Sequence, residues 1–373
     1  MAPVRWASGY CRRIVDLSGL RAEFPVLDHL AYLNAGTDGP LPAVAARAAT
    51  RELERELAQG RAGAHFERRS ELASELRSAY ARVLGCEATD VALTSCTTEG
   101  IAQTIVGLPL GRDDEILTSD EEHPGLLGTL AAVHELNGVR IREVSLSAIA
   151  LQVGPRTRLV ACSHVGWMSG SVAPPELAQV DVPVLLDGAQ GAGAIAVDVR
   201  ALGCDAYAAA GQKWMCGPDG TGMLYVRPHM LEELGVSRRG YPNLLDPDAG
   251  LQARLHEDAR RFDSPALSAE TLACALASVN MLESLGWSAI HERARSLARR
   301  LTELLEASGR EPAPRGDTTL VSFPSEDPPA ERARLAEGGI IVRNIPGRPW
   351  LRASVGAWND EDDLNRLLGM LST

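Results

Sequence analysis

Two residues in this chain have the types and placement of a reactive pair. Asp187 ends the apolar run V-P-V-L-L-D (182–187), and Lys213 lies in A-A-G-Q-K-W-M-C-G-P-D-G-T-G (209–222), between a second apolar run and a glycine-rich turn. An acid that can hold a pyridinium nitrogen, followed by a lysine that can condense with an aldehyde, is the combination a pyridoxal phosphate (PLP) site requires. The coenzyme draws electrons only while its ring nitrogen stays protonated, and a neighbouring carboxylate raises that nitrogen's pKa by favouring the charged form.

Further candidates follow from where such a site must sit. Ligands of open α/β sheets bind beyond the carboxyl ends of the strands. Thr97 and Thr98 follow the run V-A-L-T-S-C and open a helix in T-T-E-G. Their hydroxyls, with the N–H groups of a helix start, form a phosphate cradle. Ordinary helix capping is the competing account, and the company of Asp187 and Lys213 favours the cradle. His123, in D-E-E-H-P-G after the run E-I-L-T-S, either stacks on a coenzyme ring or serves as a capping or surface histidine. Gln190 either hydrogen-bonds the phenolic oxygen of the coenzyme or ties down a turn. Arg352, inside the strand-like W-L-R-A-S-V, needs a partner: a substrate carboxylate held bidentately or an internal acid. G-P-D-G-T-G (217–222) precedes a strand instead of opening a helix, so it is not a dinucleotide loop. His123, His164 and Cys162 lack metal-ligand spacing.

The elements that must position these residues are legible as an alternation. Helical spacing of Leu72, Leu76, Tyr80 and Leu84 marks a helix over 67–84, with another over 40–59. Seven short apolar runs read as buried strands: 91–94, 115–119, 139–144, 158–163, 182–186, 205–210 and 222–226. Helix-length segments at 100–108 and 123–136 separate some of them. Such alternation predicts an α/β fold with an open, mostly parallel sheet covered by helices. After about residue 235 the pattern changes to helices near 266–285 and 288–308. Strand 318–323, helix 329–337, strands 340–343 and 350–355, and helix 360–371 follow. The expected organisation is an N-terminal segment (1–30), a large domain (31–235) and a smaller α+β domain (236–373).

Bulk properties narrow the function classes. At 373 residues the chain can bury two cores. Its net charge of −12 argues against nucleic acid and anionic membranes as partners. The seven cysteines (Cys11, Cys86, Cys96, Cys162, Cys204, Cys216 and Cys274) are odd in number and form no C-x-x-C, so they read as free thiols in a reducing compartment. The N-terminus has no apolar signal-peptide core, and no apolar run reaches membrane-spanning length. A cytoplasmic enzyme is expected.

The chain resembles the class V aminotransferase superfamily of fold-type I PLP enzymes. The resemblance runs through Y-L-N-A-G-T-D-G-P-L-P (32–42), T-S-C-T-T-E-G (94–100), S-D-E-E-H-P-G (119–125) and S-H-V-G-W-M-S-G-S-V-A-P (163–174). It continues in L-L-D-G-A-Q-G-A-G-A-I-A-V-D-V, in G-Q-K-W-M-C-G-P-D-G-T-G, in R-R-F-D-S (260–264) and in W-L-R-A-S-V-G-A-W-N (350–359). It implies PLP fold type I, with Lys213 as the Schiff-base lysine and Asp187 on the ring nitrogen. His123 would stack on the ring, Gln190 would bind its hydroxyl oxygen, Thr97 and Thr98 would hold the phosphate, and Arg352 the substrate carboxylate. It also implies a homodimer with the active site at the interface, where R-F-D-S-P (261–265), with Ser264, reaches the partner's phosphate. Asn34, Trp167, Arg238, Arg239, Tyr241 and Arg343 are candidates for the side-chain pocket.

Two departures from that pattern bear on function. The family's S/T-G-H-K is Ala210, Gly211, Gln212 and Lys213 here, which removes one phosphate hydroxyl and places Gln212 where a histidine is usual. No cysteine follows Cys274, whereas desulfurases carry their persulfide-forming cysteine on a loop of the C-terminal domain. D-E-E-H-P-G-L and S-H-V-G-W-M-S-G resemble cystine or cysteine C–S lyases. The resemblance therefore implies a β-eliminating lyase acting on a sulfur-bearing amino acid, with transamination or epimerisation as alternatives on the same lysine. A non-catalytic binding protein on the same fold is the remaining alternative.

Overall fold

The computed structural model describes residue 17 and residues 19–372; Cys11 and the first part of the expected N-terminal segment lie outside them. In chain order the elements are β1 (Ala31–Tyr32), α1 (Ala43–Gln59), α2 (Gly63–Leu84), β2 (Val91–Thr94), α3 (Thr97–Gly107), β3 (Glu115–Ser119), α4 (Pro124–Asn137) and β4 (Arg140–Val144). Then come β5 (Thr157–Ser163), β6 (Val184–Asp187), β7 (Ala206–Ala210), β8 (Gly222–Val226) and the one-turn α5 (Met230–Glu233). The C-terminal part holds α6 (Ala269–Ser284), α7 (Trp287–Ala307), β9 (Leu320–Pro324), α8 (Pro328–Glu337), β10 (Ile340–Ile341), β11 (Arg343–Ile345), β12 (Trp350–Ser354) and α9 (Glu361–Leu371).

The seven expected strands form one sheet in the order β2-β8-β7-β6-β5-β3-β4. Pairing is parallel from β4 across to β7, and β8 runs against both of its neighbours. Strand residues alternate between two cores. Val91, Leu93, Val184, Leu186, Met223 and Tyr225 face one, and Ala92, Leu185, Leu224 and Val226 face the other. A sheet buried on both faces reads as continuous apolar runs without polar alternation. Helix α2 covers the first face with Leu72, Leu76, Tyr80 and Leu84, and ends at Gly85, whose φ of 70° provides the left-handed cap. Helices α3 and α4 cover the second face with Ile101, Ile105, Leu126 and Leu130.

The C-terminal part departs from the expected pattern in one place. The strand read over 340–343 is divided: β10 pairs in parallel with β1, while β11 pairs antiparallel with β12, so each half satisfies a different neighbour. Helix α6 packs on α1 and α2 and shares the large sheet's first core. Leu20, Phe24 and Leu27 pack with Ile290 and Trp358, and Arg21 holds Asp363 at 2.8 Å. No described helix is long and apolar enough to cross a membrane.

One buried ion pair ties the irregular segment 258–265 to the sheet edge. Arg77 donates to Asp263 at 2.9 and 2.7 Å and to the Val91 carbonyl at 2.6 Å, and Asp263 accepts from the Leu93 N–H at 2.9 Å. Removing one partner strands the other charge in the interior. Asp263→Ala is expected to lower unfolding free energy by roughly 3–5 kcal/mol in chemical denaturation. A loss below about 1 kcal/mol, the range of an exposed pair, would show that the segment is not held this way.

Candidate active site

The carboxyl ends of β2, β3, β5, β6 and β7 share one edge of the sheet, because all five strands run the same way. Each delivers a polar side chain to that edge. Asp187 is the last residue of β6 and Lys213 follows β7 by a short turn. Ser163 ends β5, while His123 follows β3 and Thr97 opens α3 directly after β2. All of these except Ser163 border a cavity of about 210 Å³ lined by Thr97, Thr98, His123, Trp167, Asp187, Gln212, Lys213, Arg343 and Arg352. Ala210, the position that lacks the family's hydroxyl, also lines it, and Gly36, Thr37, Cys96 and Ala189, which were not anticipated, complete the lining.

Lys213 is the only lysine of the chain; the other 36 basic Lys/Arg positions are arginine. Arginine cannot lose its proton in a protein, whereas a buried lysine can. The one position filled by a deprotonatable amine is thus the one on the cavity floor, a sequence signal that motif reading overlooked. Burial pulls the Lys213 amine down to about 8, with Asp187 opposing and Arg352 reinforcing that shift. Burial conversely raises the Asp187 carboxyl, against Lys213 and the Ala189 N–H at 2.9 Å. A cationic ring nitrogen beside Asp187 would add a favourable charge to an acid that otherwise has only the amine.

His123 caps a helix and also lines the cavity. Its Nδ1 accepts from the Gly125 N–H at 3.0 Å, capping α4, while its ring faces the cavity and meets Trp167 edge-on at 5.0 Å and 82°. Burial, helped by Lys213, Arg343 and Arg352, lowers its pKa to about 4, so the ring is neutral at pH 7. Trp167 donates from Nε1 to the Glu122 carbonyl at 2.7 Å and lies beneath both guanidinium groups, at 5.6 Å for Arg343 and 5.9 Å for Arg352.

Arg352 is fully buried and no acid pairs with it among the described residues; it donates from Nη1 to the Trp167 carbonyl. Its Nε and Nη2 have no partner, which excludes the internal ion pair weighed from sequence. Burial and Arg343 pull its pKa down to about 9. Thr97 Oγ1 and Gln212 Oε1 are likewise buried without partners. Unsatisfied buried polar atoms are costly unless a ligand completes them. The open groups are a hydroxyl at a helix start, an amine, an acid and a guanidinium. They match in turn a phosphate, an aldehyde, a ring nitrogen and an amino-acid carboxylate, so the residues present fit PLP and an amino-acid substrate.

Several expected residues stand elsewhere. Gln190 does not line the cavity: its Nε2 donates to the Gly36 carbonyl at 2.7 Å and its Oε1 accepts from Trp214 Nε1 at 3.0 Å, which is the turn-holding role. Asn34 also lies back from the cavity, accepting from Thr37 Oγ1 at 2.8 Å and bridging to Ser354. Together they hold the segment 34–39 across the site. That segment requires two glycines: a Cβ on Gly36 would stand 3.0 Å from Arg352 Nη2, and one on Gly39 would stand 2.1 Å from the Lys213 carbonyl oxygen. Ser264 and Tyr241 line a different cavity, of about 450 Å³, and contribute nothing to this one within a single chain. Arg238 is paired with Glu99. No group of three or more potential metal ligands occurs among the described residues.

Comparison with known proteins identifies the family and the fold. The family model described as aminotransferase class-V matches residues 31–367. Isopenicillin N epimerase from Streptomyces clavuligerus is 28% identical over 96% of this chain and 98% of its own. A probable cysteine desulfurase from Pseudomonas aeruginosa is 33% identical over 74% and 76%. The cystine C–S lyase C-DES, solved with its reaction product cysteine persulfide, is 30% identical with a TM-score of 0.88, covering 94% of this chain and 99% of that one. A C-DES mutant carrying glycine covalently linked to its PLP cofactor gives 0.89 at 29% identity, covering 94% and 98%.

The depressed amine gives a direct prediction. A lysine whose folded pKa lies below its free value is protonated below the folded value and neutral above it. Acetylation of Lys213 in the coenzyme-free protein, followed by peptide mass spectrometry, should therefore be half-maximal near pH 8. Half-maximal reaction near the free-lysine value of about 10.4 would remove the electrostatic basis of the site.

Proposed function

The chain belongs to the class V aminotransferase family, and from that premise we propose that it is a PLP-dependent lyase breaking the Cβ–S bond of cysteine, cystine or a cysteine conjugate. The observation that carries the amino-acid part is the buried, acid-free guanidinium of Arg352 in the same cavity as the chain's single lysine. The lyase part is supported by the likeness to C-DES over 94% of the chain and by the absence of any cysteine after Cys274. Without a thiol nucleophile on the C-terminal part, sulfur must leave directly from the substrate.

PLP, when bound, supplies the electron sink that makes the substrate's α-proton removable. The protein's residues supply the rest. Arg352 receives the substrate carboxylate in the geometry its free Nε and Nη2 allow. Lys213, poised near pH 8, takes the proton from the α-carbon as general base. Asp187, anionic when paired with a cation, holds the proton on the ring nitrogen. Neutral His123 walls the cavity without adding positive charge to it. The overall change consumes one water: the Cβ–S bond breaks, the sulfur leaves as hydrogen sulfide from cysteine, as cysteine persulfide from cystine or as a thiol from a conjugate, and the remaining atoms leave as pyruvate and ammonia.

Epimerisation is the second reading, favoured by the likeness to isopenicillin N epimerase over 96% of the chain; it uses the same proton abstraction with return to the opposite face. We further infer a homodimer in which the segment 261–265, with Ser264, serves the phosphate of the second subunit's site; this reading is supported by Ser264 lining a cavity apart from the one that holds Lys213.

Purified protein loaded with PLP should release pyruvate from cystine or a cysteine conjugate. Racemisation or transamination of the amino acid with no pyruvate from any β-thio substrate would reject the lyase assignment. Arg352→Gln should lower kcat/KM by on the order of 100-fold, about 3 kcal/mol, chiefly through KM, while PLP affinity changes only a few-fold. An unchanged KM would remove Arg352 from carboxylate binding.

A further inference from the structure

Glu122 is a buried acid that this chemistry leaves unused. It is 4% exposed and has no cationic partner among the described residues. Its carboxylate Oε1 accepts from Ser119 Oγ and from the Ser163 N–H at 2.9 Å, and Oε2 accepts from Ser163 Oγ at 2.7 Å. Ser119 ends β3 and Ser163 ends β5, and these strands are neighbours in the sheet. Ser163 is paired in register with Asp187 on β6. The groups facing the carboxyl are therefore Ser119 from β3, Cys162 and Ser163 from β5, and Asp187 from β6. Burial pushes its pKa up to about 7 against the pull of the serines, and the Asp187 charge adds to the rise.

The Glu122 backbone acts on the cavity directly. Its carbonyl accepts from Trp167 Nε1, and the next residue is His123, whose ring meets the Trp167 indole edge-on. Burying an acid without a counter-charge is costly, and a site serving stability alone is often filled as well or better by apolar groups. The cost is intelligible if the clamp sets something that packing alone would leave loose.

We propose that Glu122 is a positioning residue of the coenzyme cavity: it locks the ends of β3 and β5 beside Asp187 and thereby sets the tilt of the His123 and Trp167 rings. This rests on the PLP reading above. The test uses the full chain, free and loaded with PLP, and reads three quantities: the PLP dissociation constant, the visible circular-dichroism band of the bound coenzyme and the thermal midpoint. Glu122→Ala should raise the dissociation constant tenfold or more and alter the band at saturation, whereas Glu122→Gln, which keeps the hydrogen-bonding shape, should stay within threefold and keep the band. A purely structural residue would lower the midpoint and leave the band of the bound coenzyme unchanged. Wild-type affinity and band in Glu122→Ala overturn the assignment. Should that variant not fold, Trp167→Phe, which removes the bond to the Glu122 carbonyl, must change the band, and an unchanged band overturns it equally. A wild-type chain that takes up no PLP overturns both this inference and the proposed function, while wild-type uptake with indifferent variants overturns only the inference.

Discussion

The site depends on placing ionisable groups where water cannot screen them. Asp187 and Lys213 meet at the carboxyl edge of a sheet whose strands are apolar on both faces. Neither group is comfortable alone: burial raises the acid and lowers the amine, and each partly relieves the other. Burial thus brings the amine's deprotonation down to about pH 8 and leaves the acid in need of a cation. A parallel sheet is a suitable frame because it delivers the ends of several strands to one edge without any loop having to cross the core.

Arginine surrounds this pair but cannot replace it. The chain uses arginine at 36 of its basic positions and lysine once. Arg343 and Arg352 are register partners on β11 and β12 and both reach the cavity over Trp167. Burial lowers the pKa of His123 and Lys213 alike, and the positive field of the two arginines adds to both shifts. The guanidinium charge thus biases both of its titratable neighbours in one direction.

The cavity also joins the two parts of the molecule. Thr97, His123, Asp187 and Lys213 come from the large sheet, whereas Arg343 and Arg352 come from the three-stranded sheet of the C-terminal part. The segment 34–39 runs between them: Asn34 bridges Ser354, and the Gly39 N–H donates to the Gln212 carbonyl at 2.7 Å. The backbone of Lys213 can come this close only because Gly39 has no side chain, and Gly36 likewise leaves room for the side chains of Ser354, Arg352 and Gln190. The relative placement of the guanidinium-bearing and amine-bearing groups is therefore held by covalent continuity as well as by packing.

Local pattern alone determined a great deal. The seven strands, the covering helices and the positions of Asp187, Lys213 and Thr97 follow from apolar periodicity and from what each residue type can do, because parallel strands buried on both faces leave an unbroken apolar signature. Tertiary structure decided what depends on residues far apart in sequence. Arg352 could have met an internal acid or none, and only the fold shows its guanidinium unpaired. Gln190 could have faced the coenzyme, and only the fold shows both ends of its amide engaged by Gly36 and Trp214. Ser264 and Tyr241 fall in another cavity, and the strand over 340–343 divides because its first half pairs with β1, more than 300 residues away, while its second half pairs with the nearby β12. Hydrogen-bond partnership is a property of three-dimensional neighbours, and no spacing rule along the chain specifies which buried donor will be left free.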